Sequence, residues 1–188
     1  GMTLVVLAET GVVHIDEHQA VKAGVNYTNI PGYSTEAVAQ YVLRCIFESS
    51  RPWNKIFSPT TCLTKEEKIG RGIENAGVGL VGYGLIGKRL AEVLTVLGCQ
   101  VQITTRRPFH CDNARWMPLE QLFAVSEIVV VCCTYDARSR GLIGEKALSK
   151  MAADSRLISI AHRDVFDNAA LFRLLERRQD IAAWLDFD

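Results

Sequence analysis

Gly82, Gly84 and Gly87 form a complete Gly-x-Gly-x-x-Gly between the apolar run Val78 to Val81 and the amphipathic segment Leu85 to Leu97. Each glycine has a physical use in that setting. Gly82 allows a tight turn, Gly84 lets backbone approach a pyrophosphate, and Gly87 lets a helix pack close to a strand. The helix N-terminus that follows, with Leu85 and Ile86 in its first turn, offers free N–H groups and a positive dipole end. Glycines of this spacing also occur incidentally in strand–helix turns. The preceding strand, the following helix and a unit of about 30 residues (Gly77 to Thr105) point to a dinucleotide-binding βαβ.

A second signal is expected at the end of the next strand, where an acidic residue would accept bonds from a ribose 2′-hydroxyl. The chain reads VQITTRRP there, placing Thr105 at that position with Arg106 and Arg107 after it. Guanidinium groups bind a 2′-phosphate in a forked geometry, whereas a carboxylate repels it. NADP(H) is therefore expected over NAD(H), the other reading being two solvated loop arginines.

The elements that must position these residues alternate along the chain. Strand-length apolar runs are expected at 3–8, 25–30, 78–81, 101–105, 128–134, 157–161 and 181–187. Helical patterns fall at 16–23, 34–50, 85–97, 119–125, 145–151 and 168–178, and 51–76 reads as an irregular linker. Strands alternating with helices imply an α/β fold with a doubly wound parallel sheet. In the helix from Ser34 to Ser50, Val38, Tyr41, Val42, Cys45 and Ile46 form one apolar stripe, and Ala39, Leu43 and Phe47 a second row. Such a helix is expected to be sandwiched, within its own domain or against another chain.

Composition narrows the function classes. Of 188 residues, 48% are hydrophobic and 22% charged; 21 basic residues balance 21 acidic ones. That neutrality disfavours nucleic acid or an anionic membrane as a partner. No apolar run approaches the length of a membrane helix. The N-terminus lacks a basic leader and a cleavage site, and Gly1 reads as a scar before Met2. The six cysteines show no Cys-x-x-Cys spacing. A reduced, cytoplasmic setting is expected, with Cys132 and Cys133 as small core residues and no metal site, although His110 and Cys111 adjoin.

Four blocks in order, GVNYTNIPGYSTEAVAQ, VGLVGYGLIGKRLA, SRGLIGEKALSKM and LISIAHRDVFDNAALFRLLE with WLDF after it, resemble the D-isomer-specific 2-hydroxyacid dehydrogenases. The resemblance implies a Rossmann-type dinucleotide domain (33–188, including an interdomain and dimer helix at 34–50). It also implies a short βαβ remnant of a flavodoxin-like substrate domain (1–32). The implied activity is NAD(P)-dependent oxidoreduction of small 2-hydroxy or 2-keto acids such as glyoxylate or hydroxypyruvate, by a homodimer. Thr10 and Gly11 align with backbone amides that receive a substrate carboxylate. Asp186 aligns with a residue near the nicotinamide carboxamide, and Thr134 replaces a family proline beside the cofactor.

The sequence departs from the family's catalytic pattern. The family's substrate-binding Arg falls on His162, within Ala161-His162-Arg163, and Arg163 stands one residue late. On an extended segment a one-residue shift reverses the side chain. His162 is a candidate stand-in acid, being able to titrate near neutrality. The family's Glu and His lie downstream of the block matching 186–188, so the resemblance places neither in this sequence. Three readings stand: an NADP(H)-dependent reductase, impaired or inactive alone; a non-catalytic dinucleotide-binding sensor or subunit; and a dimeric structural remnant with an empty nucleotide site.

Overall fold

The computed structural model describes residues 3–8, 15–50, 64, 70 and 72–187. Most of the expected linker at 51–76 lies outside the described residues. The chain begins with β1 (Leu4–Leu7), α1 (Glu17–Lys22) and β2 (Asn26–Asn29), and β1 pairs in parallel with β2 from Leu4↔Asn26 to Leu7↔Asn29. The Asp16 side chain starts α1 by accepting the Gln19 N–H at 3.0 Å, satisfying one of the free donors of a helix N-terminus. Among its described residues this βαβ unit buries none fully. α2 (Thr35–Ser50) follows.

Six further strands form one parallel sheet: β3 (Gly77–Val81), β4 (Gln100–Thr104), β5 (Arg115–Trp116), β6 (Ile128–Val131), β7 (Arg156–Ser159) and β8 (Ala182–Leu185). Their spatial order is β5-β4-β3-β6-β7-β8. Counted from β3, that is 3-2-1-4-5-6, the doubly wound Rossmann order, with its switch point between β3 and β6. The two-residue β5 has no counterpart in the sequence reading, because a strand so short leaves no periodicity to detect.

Helices cover both faces. On one, α2 and α3 (Leu85–Val96) pack against the sheet, with Ala39, Val42, Ile46, Leu90, Ala91 and Leu94 buried over Val78, Leu80, Ile103 and Val130. On the other, α4 (Leu119–Val125), α5 (Glu145–Leu148) and α6 (Asn168–Arg177) place Leu122, Phe123, Leu148 and Leu171 over Val81, Val129, Val131 and Leu157. Val129 and Val131 face one layer while Ile128 and Val130 face the other, the period of two a pleated strand dictates. Near-continuous apolar strands follow from burial on both faces. In α2 burial cuts across the two expected rows: Ala39, Val42, Cys45 and Ile46 are buried, while Tyr41 of one row and Phe47 of the other are 38% and 42% exposed in the single chain.

Helix ends are fixed chemically. α3 stops at Gly98 (φ 81), with the Gly98 N–H donating to Thr95 O at 3.0 Å and the Cys99 N–H to Leu94 O at 2.9 Å. That pair of bonds satisfies the last carbonyls and turns the chain into β4. α6 begins at Asp167, whose side chain accepts the Ala170 N–H at 3.0 Å. Across α2 and α3, Arg89 holds Glu36 through two bonds, Nε to Oε2 at 2.8 Å and Nη2 to Oε1 at 3.2 Å.

Candidate functional site

The carboxyl ends of β3, β4 and β6 open onto a cleft of about 760 Å³. Gly82, Tyr83 and Gly84 form its floor, Thr105, Arg106 and Arg107 one wall, and Cys132, Cys133, Thr134, Arg138 and Ser139 the other. An open α/β sheet binds ligands at this kind of place, because strands leaving the switch point on either side part there.

The three glycines have distinct surroundings. Gly82 has φ 110, and a Cβ there would lie 2.8 Å from the backbone N and Cα of Cys133. The turn and the close passage of the two strand ends both demand glycine. A Cβ on Gly87 would lie 2.4 Å from Gly82 O, so α3 meets the turn at backbone contact. A Cβ on Gly84 would meet nothing within 4 Å. The protein's own packing does not require glycine at 84, and the open space there leaves room for a ligand. Gly84 is also the N-cap of α3 with no side-chain cap, and the Lys88 N–H to Gly84 O bond (2.9 Å) is the helix's first. The N–H groups of Leu85, Ile86 and Gly87 thus precede the helical ladder and could hold an anion. The cleft fits a dinucleotide: open space above Gly84, uncapped amides at its edge, and arginines one strand away. The Leu85 side chain points elsewhere, since a Cβ on Gly32 would lie 2.9 Å from Leu85 Cδ1. Ile86 packs into the core.

Thr105 stands at the end of β4, its Oγ1 donating to Arg107 O at 2.7 Å. Arg106 and Arg107 are both exposed. Arg106 Nη2 donates to Asp136 Oδ2. Asp136 organises the loop after β6. Its Oδ1 accepts the N–H groups of Arg138 (2.8 Å) and Ser139 (3.0 Å), and its Oδ2 also lies 3.5 Å from Arg138 Nη2. The Arg138 N–H, then the Ser139 N–H and the Arg106 charge, hold this carboxyl below the usual carboxylate range. The sequence reading missed Asp136, although Asp-Ala-Arg-Ser is a signature in which an aspartate bonds backbone two and three residues on.

Cys132 and Cys133 are not purely core residues: β6 ends at Val131, and both line the cleft. Burial, with the neighbouring Cys133 thiol adding to it, pushes the Cys132 thiol up to about 12. Burial also raises that of Cys133, against the pull of Arg106. Both thiols stay protonated and poorly nucleophilic near neutrality.

The segment 161–165 is not extended. Ala161 is buried, and Arg163–Val165 form a 3₁₀ turn capped by His162, so the alternation argument for Arg163 does not apply. His162 Nδ1 accepts the Asp164 N–H at 3.2 Å, and its ring stacks on Tyr135 with centroids 4.4 Å apart at 22°. The Tyr135 hydroxyl lies 3.5 Å from Asp164 Oδ2. His162 and Arg163 are exposed, and neither is among the residues lining the cleft. Asp186, one residue past β8, donates its N–H to Ser159 O at 2.9 Å, and the Ala161 N–H bonds Ser159 Oγ at 3.3 Å. Ser159 at the end of β7 thereby ties together the Ala161 and Asp186 backbones, and the Asp186 carboxylate lies toward Tyr41 and Cys45 of α2. Thr10 and Gly11 lie outside the described residues. Among the described residues no group of three or more His, Cys, Asp or Glu could hold a metal ion. Among the same residues no helix is long and apolar enough to cross a membrane.

The sequence profile of "D-isomer specific 2-hydroxyacid dehydrogenase, NAD binding domain" matches residues 49–187. A glyoxylate reductase/hydroxypyruvate reductase of Mus musculus is 27% identical over 186 residues, covering 94% of this chain and 57% of its own length. An acyclic imino acid reductase solved with NADPH and D-Arg superposes with a TM-score of 0.87 at 23% identity, over 98% of this chain and 61% of that one. A D-lactate dehydrogenase from Aquifex aeolicus, solved with NAD and lactic acid, superposes with a TM-score of 0.84 at 25% identity, over 98% and 57%. The chain spans about half the length of the curated relatives it matches. With the strand order, the glycine turn and a profile covering most of its residues, the chain belongs to the D-isomer-specific 2-hydroxyacid dehydrogenase family and carries that family's NAD-binding domain.

Proposed function

We propose that the cleft over Gly84 binds NAD(P)(H), with NADP(H) favoured over NAD(H), in a protein of the 2-hydroxy and 2-keto acid oxidoreductase type. The observation that carries this reading is the open space at Gly84 beside the uncapped amides of α3. The Leu85, Ile86 and Gly87 amides hold the pyrophosphate, while Gly84 admits it. Thr105 brings no carboxylate to the ribose, and Arg106 and Arg107 supply positive charge for a 2′-phosphate. Thr134, Ala161 and Asp186 frame the nicotinamide end. When bound, the nicotinamide supplies a hydride donor or acceptor for the α-carbon of the acid. The substrate class, glyoxylate or hydroxypyruvate among it, is supported by the relative from Mus musculus, whose name carries both. Thr10 and Gly11 are proposed to meet the substrate carboxylate.

The same reading places 1–32 in a substrate lobe and 33–188 in a dinucleotide domain. It pairs two copies through α2, whose exposed Tyr41 and Phe47 suit a second copy, and it sets the protein in the cytoplasm. The catalytic candidates are His162 and Arg163. With Nδ1 accepting the Asp164 N–H, Nε2 is the ring nitrogen left to face a substrate. Among the described residues no carboxylate is bonded to that nitrogen, which favours weak or absent turnover. It supports a second reading, a dinucleotide-binding sensor or subunit.

The experiment is a pair of NADPH and NADH titrations, followed by NADPH oxidation with glyoxylate and hydroxypyruvate. The expected result is binding of both dinucleotides, NADPH the tighter. Turnover that disappears in His162→Ala favours the enzyme. Binding without turnover favours the sensor, and absence of binding overturns the proposal.

A further inference from the structure

We infer that Asp136 is a positioning residue that sets how strongly the cleft discriminates between NADPH and NADH, acting through Arg106. The inference rests on the reading that the cleft binds a dinucleotide.

Discrimination between the two cofactors is discrimination at one group, the 2′-phosphate. That group carries close to two negative charges at neutral pH, and guanidinium forks are suited to it. Arg106 sits on the wall where the βαβ geometry puts the adenosine ribose, but it is already engaged. Its Nη2 donates to Asp136 Oδ2. Asp136 reaches across from the loop after β6, and so brings a carboxylate to a wall where the end of β4 itself offers none. A phosphate and this carboxylate compete for the same guanidinium. The competition is biased toward the carboxylate by how firmly it is held. Asp136 Oδ1 takes two backbone N–H bonds, from Arg138 and Ser139. Ser139 Oγ in turn bonds Thr134 O at 3.0 Å and accepts the Asp136 N–H at 2.7 Å. The loop therefore presents Oδ2 in a fixed place, and Arg106 must leave it to serve a 2′-phosphate. Arg138, 3.5 Å from the same Oδ2, is the cation that stays behind.

The geometry supplies a variant that separates charge from architecture. Asn at position 136 keeps an Oδ1 acceptor for the two backbone N–H groups and puts an NH2 group where Oδ2 stood. The loop keeps its turn, and Arg106 loses its carboxylate. Freeing one guanidinium from a competing carboxylate is expected to shift relative affinity by about tenfold, the worth of about one charge-assisted hydrogen bond.

The test is the ratio of dissociation constants for NADH and NADPH, measured by titration of the full chain. It is applied to wild type, Asp136→Asn, Arg106→Ala and the double variant. Asp136→Asn is expected to raise the preference for NADPH about tenfold, chiefly through tighter NADPH binding. Arg106→Ala is expected to lower it, and Asp136→Asn in the Arg106→Ala background to change it by less than about twofold. A loop that collapses weakens both cofactors together and leaves the ratio unchanged, an outcome that overturns the inference. An equal gain from Asp136→Asn with and without Arg106 overturns the route through Arg106. If wild type binds neither dinucleotide, the underlying reading fails and this one with it. If wild type binds both and Asp136→Asn leaves the ratio unmoved, only the inference on Asp136 fails.

Discussion

Gly84→Val separates the needs of a ligand from the needs of the fold. A Cβ at 84 meets nothing within 4 Å, and the residue occupies ordinary extended backbone, φ −78 and ψ −158. The direct cost to the folded state is limited to a poorer N-cap, at most about 1 kcal/mol, which for a chain of this size is about 2–4 °C in Tm. Binding should suffer far more. A branched side chain over the helix N-terminus displaces an anion from the amides of Leu85 and Ile86. Hydrogen bonds to a charged group are worth about 1.5–3 kcal/mol each, so losing two removes at least about 3 kcal/mol, or about two decades in Kd. Gly82→Ala is the opposite case. A positive φ costs about 1–3 kcal/mol in a non-glycine residue. The two 2.8 Å approaches to Cys133 backbone atoms add about 1–3 kcal/mol of overpacking. The sum, about 4 kcal/mol, lowers Tm by about 8–16 °C. Differential scanning fluorimetry and NADPH titration on both variants read the two quantities side by side. Gly84→Val binding NADPH within threefold of wild type would refute the assignment of that open space to the pyrophosphate.

Further outcomes follow from the packing and the charges. Leu94→Ala, in the fully buried layer between α3 and the sheet, should cost about 2–5 kcal/mol in urea unfolding, more than any exposed position of α3. Glu36 has its carboxyl lowered by the Arg89 guanidinium, so its contribution to stability is complete above the usual carboxylate value and is lost as pH falls through the lowered one. The Tm difference between wild type and Glu36→Gln should therefore be constant from pH 8 to pH 6 and close as pH is taken below the carboxylate range. Cys132, with its thiol at about 12 and 3.4 Å from Gly82 O, should resist iodoacetamide at pH 8 in the native protein and react once the chain is unfolded, as peptide mass mapping would show.

The fold was legible in the sequence where chemistry repeats. The apolar runs of β3, β6 and β7 are continuous because the sheet is covered on both faces, and α3 is bounded by Gly84 and Gly98, whose roles are local. The glycine turn was legible for the same reason: the positive φ of Gly82 and the backbone contact of Gly87 with Gly82 are set within a few residues, whereas the approach of Gly82 to Cys133 is not. Contacts between distant segments were not. Nothing within 101–107 foretells that Arg106 is taken by Asp136, thirty residues on. The extended reading of 161–163 failed because His162 caps a 3₁₀ turn by accepting the Asp164 N–H, a bond that spans two residues and leaves no periodicity. The sandwiching of α2 was half legible: amphipathicity shows that Val42 and Ile46 are covered, but not what stands opposite Tyr41 and Phe47.

The parallel pairing of every described strand has a kinetic consequence. Parallel neighbours cannot be joined by a tight hairpin, so each pairing must wait for a crossover to close. The two strands that floor the cleft are the most separated neighbours in the sheet, with Val78 opposite Ile128, fifty residues away. Contacts of such separation slow folding, and they are absent from any partly assembled sheet that holds only β3 and β4. The meeting of Gly82 with Cys133 therefore reports that the two halves of the sheet have joined at β3 and β6. A ligand held in the cleft would select molecules so joined from the refolding population, and its binding would lag behind the return of helical signal.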